Sequence, residues 1–442
     1  MNPRCSLASN ANEIPGAVTV VTTKDGIVHC EAIGSANPTN NEPIRTDTLF
    51  WIASMTKPVT GVALLMLQDE GKLNVNDPVA KYIPEFATLR TPSGKLANLT
   101  IAQIMTHTSG LGEAPRDAKP KTLADMIPLF LAARMQFEPG SKWSYCQSGI
   151  NTGARIVEVV SGKSFDRFLQ ERIFDPLGMK TTTFYPSRMP SAHLVTASRE
   201  NRATGRLEAA PAAPYGAEGT PPLGNGGLYS TGPDYARFCQ MLLAGGTLNG
   251  KRYLSPEAMK YLETVQTGGL PTGFFQGNDY GNRGTNYGWG IGTCILRAPH
   301  EGVASMLSPG TFGHGGAWGT QAWIDPQRGA AYILIIQRTD LGNSDASEMR
   351  RAFQQAAVKA LEHCTAEMAP VPIAQAWVRN VCAVQPMAET LPDVARRTRE
   401  FHSSCALTTH SPEVQWDVAP AFLSNSHLAR LMPYCDTATH QS

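Results

Sequence analysis

The chain opens on two short apolar runs joined by a turn. "AVTVVTT" at 17–23 is apolar and β-branched, "KDG" at 24–26 carries an Asp-Gly turn, and "IVHCEAIG" at 27–34 returns. This pattern predicts a β-hairpin over 17–34. "TDTLFWIAS" then leads into a segment that is apolar on every side from 61 to 67, the mark of a buried helix. Gly71 is placed to end that helix. "NDPVAKYI" predicts a further helix, capped by Asp77 with Pro78 at its first position.

From 58 to 225 the pattern reads as helices and loops with little strand signal. "GNGGLYSTGPDYARF" changes the texture: glycines precede Ser230 and Thr231, which can cap a helix with Asp234 nearby. From about 285 the pattern turns to strands, in "NYGWGIGTCIL", "QAWIDP" and "GAAYILIIQR", and a helix is predicted over 344–363. Strand-rich ends around a helical middle suggest an α/β domain made from both termini (14–57 and 226–363) with a helical domain, 58–225, inserted. The stretch 364–442 stands apart. It has no glycine, yet carries four of the nine cysteines and four of the ten histidines, and reads as an accessory extension. Those cysteines and histidines lack the spacing of metal ligands.

Composition narrows the function classes. With a net charge of +1, bulk attraction to nucleic acid or to an anionic membrane is not indicated, and short basic clusters such as Arg396-Arg397 and Lys119-Pro120-Lys121 read as solvated surface. No apolar run approaches the roughly eighteen residues of a membrane span, and no signal peptide is visible. Scattered cysteines without a C-x-x-C pair favour free thiols, and a cytoplasmic location is the expectation. G-x-S-x-G, H-E-x-x-H, Walker A and dinucleotide fingerprints are absent, so neither a metal nor an organic cofactor is expected.

The segment "LFWIASMTKPVTG" raises the chemical question. Lysine is almost never buried without a partner, yet Lys57 heads an apolar helix. Ser54 and Lys57 are spaced i, i+3, which puts both side chains on one helical face. A lysine held neutral by burial can take the serine's proton, and free N–H groups in the first turn can stabilise an oxyanion. Three other stretches supply partners: "PGSKWSYCQSG" with Tyr145 and Gln147 in a polar turn before a helix, "GNGGLYSTGPDYARF", and "FGHGGAWGTQAWIDP" with His314, Gly315 and Gly316 on a strand. His107, in "MTHTSGL", reads as a local hydrogen bonder, and Cys146 as a small unreactive filler.

Together with "LTIAQIMTHTSGL" and "IFDPLGMKTTTF", these motifs resemble the serine β-lactamase and penicillin-binding superfamily, its class C branch and the family VIII carboxylesterases above all. The resemblance covers roughly 14–362. It implies an α+β, β-lactamase/transpeptidase-like fold: an antiparallel sheet flanked by helices with an inserted, mainly helical domain. It implies Ser54 as nucleophile, Lys57 as its base and Tyr145 as the tyrosine of the Y-x-N element. Gln147 stands where that element usually has Asn, and His314-Gly315-Gly316 stands where many members have Lys-Thr-Gly. The N–H groups of Ser54 and Ala317 would form the oxyanion hole, and Trp318 would line a substrate pocket. Histidine is largely neutral at pH 7, so it lacks the fixed charge that would hold a substrate carboxylate. The reading is a serine hydrolase of small carboxylic esters, with short acyl chains the family expectation. A D-amino-acid peptidase or penicillin-recognising hydrolase, or a scaffold that keeps the fold without turnover, are the alternatives.

Overall fold

The structure, a computed structural model, describes residues 14–115, 117–189, 193–272, 286–299, 303–340 and 348–367. They lie within one compact unit, Met1–Val384; a second unit, Gln385–Ser442, lies outside the described residues, as do Arg396-Arg397 and most of the 364–442 stretch.

The predicted hairpin is present. β1 (Gly16–Thr23) and β2 (Ile27–Asn37) pair antiparallel around the Lys24-Asp25-Gly26 turn, and β3 (Glu42–Pro43) pairs with β2 at the sheet edge. Three two-stranded ribbons lie apart from this sheet: β4 (Phe50–Trp51) with β7 (Tyr229–Ser230), β5 (Ser198–Asn201) with β6 (Arg206–Ala209), and β8 (Thr247–Leu248) with β9 (Lys251–Arg252). The C-terminal strands are β10 (Tyr287–Trp289), β11 (Cys294–Leu296), β12 (Phe312–Gly315), β13 (Gln321–Asp325) and β14 (Ala330–Ile335). They complete an eight-stranded antiparallel sheet in the order β10-β11-β12-β13-β14-β1-β2-β3. The chain's two ends therefore meet where β1 pairs with β14, from Val18↔Ile335 to Thr23↔Ala330.

Period-two alternation explains why the two central strands read as unbroken apolar runs. Val18 and Val20 of β1, with Ala331, Ile333 and Ile335 of β14, join a core shared with the helices of the middle segment. Ala17 and Val21, with Ala330, Tyr332 and Leu334, face the opposite core, built with Phe353, Ala357 and Val358 of the last helix. A sheet covered on both faces needs apolar side chains in both directions.

The helices are α1 (Thr56–Asp69), α2 (Ile101–Met105), α3 (Leu123–Ala132), α4 (Gln147–Ser161), α5 (Phe165–Leu169), α6 (Asp175–Leu177), α7 (Gly232–Leu243), α8 (Pro256–Glu263) and α9 (Glu348–Glu367). α1 is buried from Thr56 to Leu67 and packs on α4, and Gly71, at φ 69°, follows its end in the left-handed conformation that favours glycine. Thr231 caps α7 by accepting from Asp234 N at 3.3 Å.

Two expectations need correction. The helix expected at "NDPVAKYI" is a single 3₁₀ turn, Val79–Lys81. Pro78 is extended (φ −61°, ψ 135°) and bridges to Thr100, while the Asp77 carboxylate accepts from Asn74 N, Lys81 Nζ and Tyr82 OH instead of capping a helix. The middle segment also holds the β5–β6 ribbon, whose charged sequence carries no apolar alternation to announce it.

Candidate active site

Ser54 sits in a 3₁₀ turn, Ala53–Met55, that runs directly into α1, so the i, i+3 relation to Lys57 holds although the serine precedes the α-helix proper. Ala53, just before it, is forced to φ 45°, a conformation that costs energy for any residue with a Cβ. The turn is anchored from both sides: Thr56 Oγ1 donates to Ala53 O at 2.7 Å, and Leu228 N donates to Thr56 Oγ1 at 3.2 Å.

The lysine has its partners. Lys57 is completely buried, and its Nζ lies 2.9 Å from Ser54 Oγ and 2.6 Å from the Asn225 carbonyl. Burial holds its pKa well below the usual lysine range, against the opposing pull of the Glu113 carboxylate. A neutral amine that donates to Asn225 O has its lone pair available for the serine proton. Tyr145 OH donates to Ser54 Oγ at 3.0 Å, and Lys57 Nζ lies 4.7 Å from the centre of the Tyr145 ring. Burial pushes the Tyr145 phenol upward, so it keeps its proton, while the hydrogen bond to Ser54 acts weakly the other way. Base and donor are thus distinguished by their surroundings: the amine is poised to accept, the phenol to give.

His314 is on β12, as expected, and fully buried. Its Nδ1 contacts Gly315 O, which places the proton on that nitrogen, and its Nε2 lies 3.3 Å from Tyr145 OH as the second, longer acceptor beside Ser54 Oγ for the phenol's single proton. Burial holds its pKa well below the usual histidine range. Gly315 ends β12, and Gly316 allows the next step. A Cβ on Gly316 would meet Ile52 O at 2.6 Å and Ala53 Cβ at 3.2 Å, so only glycine lets this strand end lie against the nucleophile turn. Ala317 then opens a 3₁₀ turn, Ala317–Gly319, that packs on the Ser54 turn. Trp318 adopts φ 68° and meets Trp51 edge-on at 4.7 Å, in an aromatic cluster with Tyr215 and Tyr229.

Gln147 is the first residue of α4, and its Oε1 accepts from Asn225 Nδ2 at 2.8 Å. Cys146 is buried, with its thiol pushed up by burial and its Sγ 3.6 Å from Leu111 O, consistent with a filler. Every proposed site residue thus gathers around Ser54 or on the turns and helix end that frame it.

Sequence reasoning missed two members. Asn225 ties the site together through its carbonyl to Lys57 and its amide to Gln147, and only its place in the "GNGG" stretch hinted at a role. Glu113 caps α4 from a distant loop, accepting from Gln147 N at 2.6 Å, Ser148 N at 3.0 Å and Ser148 Oγ at 2.7 Å. A carboxylate at a helix N-terminus satisfies free N–H groups and the dipole together. No sequence spacing could reveal it.

The family profile described as Beta-lactamase matches residues 6–357. The chain belongs to the Beta-lactamase family. It is 31% identical over 356 residues to protein Rv1367c of Mycobacterium tuberculosis, covering 74% of this chain and 87% of that one. It is 28% identical over 323 residues to the D-alanyl-D-alanine-carboxypeptidase/endopeptidase AmpH of Escherichia coli strain K12, covering 70% and 76%. It is 26% identical over 368 residues to esterase EstB of Burkholderia gladioli, covering 76% and 89%. Among solved structures, EstCE1, a hydrolase with promiscuous acyltransferase activity, superposes with a TM-score of 0.64 at 20% identity, over 76% of this chain and 92% of that one. The family and the fold agree, and the protein is a serine hydrolase of the β-lactamase and penicillin-binding superfamily. Among the described residues no helix is long and apolar enough to cross a membrane.

Proposed function

We propose that the protein hydrolyses carboxylic esters through an acyl-enzyme on Ser54. The observation that carries this reading is His314, a buried and neutral side chain where a substrate carboxylate would need a cation. Nearby arginines are committed elsewhere. Arg338 pairs with Glu200 and Asp340, and Arg350 donates to Gly319 O at 3.0 Å and Thr320 O at 3.3 Å. A neutral ester needs no such cation. The likeness to EstB supports the same reading; the likeness to AmpH supports the peptidase alternative.

The chemistry runs through groups already placed. Lys57 Nζ takes the Ser54 proton as Oγ attacks the ester carbonyl carbon. The oxyanion of the tetrahedral intermediate is held by the N–H groups of Ser54 and Ala317. Its collapse expels the alkoxide, which takes the Tyr145 proton, and the Lys57 ammonium restores it. Water then attacks the acyl carbon and gives its proton to Lys57, and as the acyl–Oγ bond breaks the Lys57 ammonium returns that proton to Ser54 Oγ, which regenerates the resting site. In this reading Trp318, packed edge-on against Trp51, lines the substrate pocket, and the Gln147 amide, held by Asn225, contacts the substrate.

The deciding experiment compares kcat/KM for p-nitrophenyl butyrate with that for a D-alanyl-D-alanine peptide. A preference for the ester is expected. A preference for the peptide would assign the site to the peptidase reading.

A further inference from the structure

We propose that His107 is a positioning residue for Tyr145, holding the phenol at Ser54 from both sides of the tyrosine's own backbone. His107 is completely buried just beyond the end of α2. Its carbonyl accepts from Ser144 N at 2.9 Å, and its Nδ1 accepts from Cys146 N at 3.0 Å. These are the residues immediately before and after Tyr145. Its ring lies on the Tyr145 ring, with centroids 4.5 Å apart and planes at 33°. Trp289 and Trp143 close on the imidazole edge-on, at 4.5 and 5.9 Å, so the imidazole is itself held in place.

The position has a cost that a helix end alone does not explain. His107 adopts φ 62°, the left-handed conformation that glycine or asparagine reaches more cheaply after a helix. Its Nε2 is buried without a hydrogen-bond partner among the described residues. Glycine would end α2 equally well, but it could neither accept from Cys146 N nor stack on the phenol. Burial keeps the imidazole neutral, which preserves Nδ1 as an acceptor. The function follows from what Tyr145 must do: a phenol that swings away from Ser54 Oγ leaves the proton relay open, and small misplacements at a reacting group are costly.

The test reads Ser54 reactivity by its phosphonylation with an alkyl fluorophosphonate, which depends on the nucleophile and not on the ester reading. The proposal rests on the serine hydrolase chemistry alone, so a peptide preference would leave it standing. His107→Ala is expected to slow inactivation at saturating reagent by about ten-fold, with the half-saturation concentration within about two-fold. His107→Asn, which tolerates the left-handed backbone and keeps an acceptor, is expected to recover part of the rate and provides a folded variant if the alanine form does not fold. The decisive readout is the double-mutant cycle, with His107→Asn taking the place of the alanine variant if needed. In a Tyr145→Phe background the His107 substitution is expected to cost less than about two-fold. An equal loss in both backgrounds, or no loss in wild type, would overturn the proposal.

Discussion

Lys57 Nζ is held 2.6 Å from the Asn225 carbonyl, and this contact aims the amine at Ser54. Asn225 is fixed in turn, because its N–H donates to Asn151 Oδ1 at 3.1 Å from α4. The base on α1 is thus steered by a loop that α4 holds in place. Asn151→Ala removes the anchor and leaves the Asn225 N–H without its partner. Stability is expected to fall by about 1–3 kcal/mol, the cost of an unmet buried donor. Ester turnover is expected to fall by about ten-fold, with KM changing less, since the lost interaction positions the base. Thermal melts and steady-state kinetics on the variant check both.

The buried histidines predict how stability depends on pH. His107 and His314 both have folded pKa values well below the ordinary range, and His29 is lowered by burial to about 4. Below about pH 6.5 the unfolded chain binds protons at these sites that the folded chain refuses. The histidine contribution to stability is therefore full above the unfolded histidine range and is lost as pH falls from about 6.5 toward the folded values, with a slope of about 1.4 kcal/mol per pH unit for each site. Denaturant melts between pH 7 and 5 are expected to show this loss, and His29→Gln should reduce it by one proton's share. A flat profile would mean that these rings titrate normally.

Gly316 is a point of close approach between the end of β12 and the nucleophile turn. Gly316→Ala would drive a Cβ against Ile52 O and the Thr320 side chain, at 2.6 and 2.5 Å. The strand end must then retreat from the Ser54 turn. A loss of about 1–3 kcal/mol in stability is expected from the overpacking. The rate of ester turnover is expected to fall about ten-fold or more, because the Ala317 N–H moves away from the oxyanion. A thermal melt and a kcat value for the variant check both.

Local chemistry decided what could be read from sequence. The Asp-Gly turn fixed the β1–β2 hairpin, the unbroken apolar surface marked α1, and Thr231 with Asp234 marked the start of α7. Ser54 and Lys57 stood out by their i, i+3 spacing, Tyr145 and His314 by the family resemblance, and the fold brings the four side chains together. Asp77 misled because its carboxylate looked like a cap, while Tyr82, Lys81 and Asn74 claim it in the fold. Asn225, Glu113 and His107 stayed hidden or undervalued for a different reason. Glu113 and His107 bind backbone N–H groups of residues distant in sequence, and Asn225 meets Lys57 through its own backbone carbonyl; no side-chain pattern records such contacts.

The central claim is that Ser54 carries the acyl group. The most direct measurement is mass spectrometry of the intact enzyme and its peptides, quenched in acid during turnover of p-nitrophenyl butyrate, for wild type and Ser54→Ala. The account predicts one butyryl group on the peptide bearing Ser54 in wild type, with neither adduct nor turnover in the variant. A butyryl group on another residue, or turnover that survives Ser54→Ala, would contradict it.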